Sequence, residues 1–92
     1  MIVRIATESQ YRLHEEAAAA LNELDNEAVA AADANDEPRF KELWQQMLEL
    51  VERDGEAIAD DELVPSDVIL PPRDSSFAEA KGEFTGEGLI PD

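Results

Sequence analysis

Two stretches of strong helix formers, parted by a six-residue break, constrain this 92-residue chain more than any other feature. From Glu15 to about Ala32 there is neither proline nor glycine. Ala17, Leu21, Leu24, Ala28 and Ala31 recur there at spacings of four and three, which places them on one face of a helix. "DANDEP" (33–38) then interrupts the pattern. Asn35 or Asp36 suits an N-cap, and Glu37 and Pro38 suit the first turn of a second helix. That helix runs to about Asp54, with Phe40, Trp44, Met47 and Val51 on one face. Leu43, Leu48 and Leu50 widen that face, and Gly55 stands as the stop. So short a connection makes the pair an antiparallel hairpin over 15–54.

What precedes the helices reads as β. Ile2, Val3 and Ile5 form a β-branched run, "TES" (7–9) is a polar break, and "QYRL" alternates apolar with polar side chains. Residues 1–13 are therefore expected to form a β-hairpin, which needs something to pack on because a lone hairpin is marginal in water. Residues 55–92 are less regular: turn chemistry at several points, one brief strand at Val68–Leu70, and a short helix within 75–84. Ser75 or Ser76 is its cap, Glu79 completes a capping-box spacing from Ser76, and Gly82 weakens it. Leu89 and Ile90 form a final apolar pair. The fold class is α+β: an N-terminal β-hairpin, an antiparallel helical hairpin, an extended apolar segment and a short C-terminal helix. The 92 residues are expected to make one small domain.

Charge narrows the partners. Twenty-three acids against seven bases give a formal net charge of −16. Nucleic acid is disfavoured because binding it depends on Lys and Arg displacing condensed counterions. Direct docking on an anionic bilayer is disfavoured for the same reason. From Leu13 to Pro38 there are eight acids and no Lys or Arg, so the outer side of the first helix is expected to be strongly negative. That face is either a solvated surface or a guide for a basic partner; an adaptation of a whole proteome to high salt would also account for the acidity. "MIVRIATESQ" lacks the apolar core of a signal peptide, and no apolar run approaches the ~18 residues of a membrane span. A cytoplasmic protein is expected.

Reactive chemistry is sparse. There is no cysteine and one histidine. His14 lies at a strand-to-helix junction with no second histidine to share a metal, and nothing in the spacing delivers Ser9 or another hydroxyl to it. "DDE" (60–62) lacks the alternating ligand spacing and turn glycine of a calcium loop. Gly82, Gly86 and Gly88 sit among glutamates that repel phosphate. The expectation is no enzyme, no cofactor, no catalytic and no metal-binding residue. Partner contacts are expected at Glu16, Glu23 and Glu27 of the first helix, at Trp44 (otherwise a core anchor), and at Ile69. In "ELVPSDVILPP" (62–72), Leu63, Val64, Val68, Ile69 and Leu70 are expected to cover the hairpin and helices. Pro65, Pro71 and Pro72 keep the segment from becoming a sticky edge, and Ser66 and Asp67 form a local turn or cap. The alternative is a recognition strip centred on Ile69.

Three groups of residues carry a resemblance: the opening "MIVRI…E.QYRL", "LNELDNE" in the first helix, and "DDELVPSDVILPP" with terminal "GEGLIPD". Together, in this order and over nearly the whole chain, they resemble the PspA-associated protein family, PspAA, encoded beside homologues of phage shock protein A. The resemblance implies a non-enzymatic accessory role in the envelope-stress response, with a PspA-family coiled-coil protein as partner. It supplies no catalytic and no binding residues. The membrane would be reached only through that partner, at its inner face, and self-association is left open. Two other classes are kept: an acidic inhibitor that mimics nucleic acid, and a small metal-dependent hydrolase.

Overall fold

A computed structural model of the chain describes residues 1–6, 8–59, 61–62 and 64–84. Among these residues seven elements follow one another: β1 (Ile2–Ile5), β2 (Gln10–Arg12), α1 (Glu15–Asp33), α2 (Glu37–Asp54), β3 (Glu56–Ile58), β4 (Val68–Leu70) and α3 (Phe77–Glu83). The four strands form one sheet in the order β3-β2-β1-β4. β1 pairs antiparallel with β2 and parallel with β4, and β2 pairs antiparallel with β3. The fold is α+β, with the predicted N-terminal hairpin and two long helices.

The α1–α2 turn shows why "DANDEP" breaks a helix so sharply. Ala34 caps α1, and Asn35 adopts a left-handed φ of 58°. The Asn35 amide donates to Ala32 O and the Asp36 amide to Ala31 O, the paired bonds of a Schellman stop. Asp36 then serves as N-cap of α2, its side chain accepting from the Arg39 amide at 3.3 Å. Of the two N-cap candidates, Asp36 takes the role; Asn35 ends the preceding helix, because Asn tolerates positive φ better than other non-glycine residues. Asn35→Val should cost about 1–2 kcal/mol in chemical denaturation, since a β-branched residue is strained at that φ. Asn35→Gly should be close to neutral.

Register assigns the two sheet faces. Val3, Ile5, Val68 and Leu70 are fully or almost fully buried and face the helices. Behind them lie Leu21, Ala28, Ala31 and Ala32 of α1, and Phe40, Leu43, Trp44, Met47, Leu48, Leu50 and Val51 of α2. The small alanines let α1 approach α2 closely. α3 is stapled on at one end by rings: Phe40 meets Phe84 edge-on at 5.0 Å and Phe77 at 5.4 Å. Ser76 and Glu79 form the capping box expected for it. Leu89 and Ile90 lie outside the described residues, as do Asp60 and Leu63.

β3 was not predicted, and its presence explains the Pro-rich segment that follows. β3 and β4 occupy opposite edges of the sheet, so the chain must cross β2 and β1 to pass from one to the other. It crosses the face away from the helices. Gln10 points to that face, beside Ile58 and Arg4. Its Nε2 donates to Val64 O (2.9 Å) and Ser66 Oγ (2.7 Å), pinning the crossing strap. Gln10 is thereby buried, and Ile58 is buried beside it without joining the main core. Ser66 and Asp67 therefore do not form the local turn expected of them. Asp67 Oδ2 accepts from the Ile2 amide at 2.7 Å, and the Asp67 amide donates to Ile2 O. Both side chains hold partners more than fifty residues away, because the strap has to be tied down where it meets the sheet. Gln10→Leu should cost about 1–3 kcal/mol, the strap's acceptors being left unanswered. Faster amide exchange in β4 would report it.

Candidate functional site

The side chains singled out in the sequence lie on three separate surfaces. Glu16, Glu23 and Glu27 are exposed on α1, and at spacings of seven and four they form one stripe along the helix. No ion pair involves Glu15, Glu16 or Glu23 among the described residues, whereas Glu27 approaches Arg39 at 3.5 Å. The last turn of α1 has no base. Among the described residues Asp33, exposed in that last turn, has no ion pair either, so charge is uncompensated at both ends of the helix, and only Glu15 and Glu16, in the first turn, complement the helix dipole. Asp25 departs from the expected acidic face: it is fully buried. Its position explains this, four residues after Leu21 and three before Ala28, on the face turned to the core.

At the foot of α1, His14 occupies the N-cap but makes no side-chain cap bond. Its Nε2 lies 2.9 Å from Glu56 Oε1, and this contact holds the Glu56 carboxyl below its usual range. A lowered carboxylate contributes stability above its unfolded pKa and loses it as pH falls through the folded value. With both side chains largely exposed, screening leaves that contribution small.

Trp44 lies on α2 with 6% of its surface exposed, 6.2 Å from Phe40 between ring centres. It borders a cleft between α2 and the segment leading into α3. The other lining residues are Lys41, Gln45, Leu48, Arg73 and Ser75. Arg73 anchors that wall: its Nε donates to Glu8 at 2.8 Å and its Nη2 to Glu52. The stripe Lys41, Trp44, Gln45, Leu48 is visible in the sequence as i, i+3, i+4, i+7. Arg73 and Ser75 are not, since only the folded chain brings them to α2.

Ile69 is on the third surface. Val68 and Leu70 point into the core while Ile69, opposite Arg4, points outward and keeps 56% of its surface exposed. Ile69→Asp should leave the chain folded, with a melting temperature within a few degrees of the parent, because no core contact is removed.

Among the described residues, no three His, Cys, Asp or Glu side chains are grouped to hold a metal ion. No described helix is long and apolar enough to cross a membrane. Comparison with curated proteins and with solved structures returns no match. The family model for the PspA-associated protein matches residues 1–92, the whole length of the sequence. With that match the resemblance carried by the strand opening, the first helix and the proline-punctuated strap becomes an assignment: the chain belongs to the PspA-associated protein family, PspAA.

Proposed function

We propose that this chain is a non-enzymatic accessory protein that binds a PspA-type coiled-coil protein of the envelope-stress response, using the acidic face of α1. The observation that carries this reading is the exposed, unpaired Glu15, Glu16 and Glu23 on a long helix of a PspA-associated family member. A coiled coil presents ridges of charged side chains at its flanks, and a second helix with an unanswered acidic stripe is complementary to a basic ridge. Such charges act mainly on the rate of encounter and on register. At a net charge of −16 the chain is repelled by an anionic bilayer, so membrane contact runs through the partner.

Co-purification with the PspA-family protein of the same organism, at moderate salt, tests the reading. Retention of the partner is expected, with affinity falling as salt rises. The double variant Glu16→Lys, Glu23→Lys should weaken binding about tenfold or more while leaving the circular dichroism spectrum unchanged. No retention at any salt would remove the proposal's support.

A further inference from the structure

The cleft beside Trp44 has a volume of about 280 Å³, just below the ~300–1,000 Å³ usual for small-molecule sites. Lys41 and Arg73 border it, and no acid does among the described residues. Lys41, Gln45, Arg73 and Ser75 can all donate hydrogen bonds. Several of those donors have capacity left. Among the described residues Lys41 is paired with Glu37 alone, at 3.8 Å. Arg73 engages Glu8 and Glu52 through Nε and Nη2 and retains further N–H groups. The Trp44 Nε1 is buried with no acceptor, one of two such side-chain atoms among the described residues; with under 1 Å² of its surface exposed it is closed to an occupant of the cleft, and the ring alone is presented there. Leu48 and the indole ring supply an apolar wall.

We propose that this cleft seats the carboxylate side chain of a glutamate or aspartate projecting from a helix of the PspA-type partner, a proposal that rests on the reading that such a partner binds. Lys41, Ser75, the remaining Arg73 N–H groups and the Gln45 amide hydrogen not given to Glu49 answer the carboxylate oxygens, and the apolar wall takes the methylene stem, which inorganic phosphate lacks. α1 thus offers the partner an acidic stripe and this cleft a set of hydrogen-bond donors on another face, and the two together fix its orientation.

Trp44 is the only tryptophan, so a fluorine label on its ring reads the cleft alone. Adding the unlabelled PspA-family protein should move the fluorine resonance of the intact chain. Lys41→Glu should weaken binding about tenfold or more. Arg53→Glu, the same charge change at the end of α2 and outside the cleft, should weaken it less than about threefold. Binding with an unmoved resonance, or with Lys41→Glu no worse than Arg53→Glu, overturns the cleft and leaves the partner reading standing. If no partner binds, that reading fails and glutarate decides the cleft. A resonance moved by glutarate, unmoved by chloride at equal ionic strength, and insensitive to glutarate in Lys41→Glu supports the carboxylate seat. No response to glutarate, or an equal response to inorganic phosphate, overturns it.

Discussion

Phe40→Ala should destabilise the protein by about 3–5 kcal/mol. Phe40 is completely buried and its ring touches three others, Trp44, Phe77 and Phe84. Two of those belong to α3 or its cap, and seven residues make too short a helix to persist without packing. Truncating the ring therefore removes the transfer energy of one side chain, leaves a cavity, and releases α3. A chain of this length has about 5–14 kcal/mol to lose. Chemical denaturation should show a midpoint far below the parent's. Phe40→Leu, which keeps part of the volume, should lose less than half as much. A loss below about 1 kcal/mol for Phe40→Ala would show that the aromatic cluster does not hold α3 in place.

The second large effect is expected at Gly55, from the smallest side chain available. Gly55→Ala should cost about 2–3 kcal/mol, with the damage centred on β3. Gly55 has an extended backbone, φ −86° and ψ 152°, so left-handed freedom is not what it provides. A Cβ there would collide with the Val51 carbonyl oxygen and lie 2.9 Å from Tyr11 Cβ. Neither obstacle is the loose end of a side chain, so the backbone has to move. Tyr11 is on β2 and pairs with Ala57, so the shift pries β3 from the sheet. Amide exchange should accelerate at Glu56–Ile58 well before it does at Ile2–Ile5. Unchanged exchange in β3 would show that α2 absorbs the methyl group instead. Gly55 is the C-cap that ends α2, the stop expected from the sequence, and what it supplies there is room.

Local signals were legible wherever neighbouring residues settle the structure. The Schellman turn and Asp36 cap needed only "DANDEP", and the capping box needed only Ser76 and Glu79. Helical spacing likewise placed Leu21, Ala28 and the buried face of α2. The same spacing put Asp25 on the inner face, and counting it among surface acids ignored the period in favour of the charge. β3 is three residues long and mostly exposed, too short for alternation to register. Its pairing with β2 is what creates it. The strap was opaque for a related reason. Ser66 and Asp67 have the chemistry of a local turn, but a crossing over two strands presents them with Gln10 and Ile2 first.

The candidate surfaces divide in the same way. The acidic stripe of α1 and the Lys41–Leu48 face of α2 are periodic, so the order of residues alone determined them, together with the two long helices and the membership in the family. The pairing of Arg73 and Ser75 with α2, the outward turn of Ile69 and the unanswered Trp44 N–H were decided by tertiary structure alone. Each depends on contacts between residues far apart in the chain, Arg73 with Glu52 and Glu8 at separations of 21 and 65 among them. Periodicity within one element carries no information about which distant element will pack against it, because that choice is made by the burial of the whole core at once.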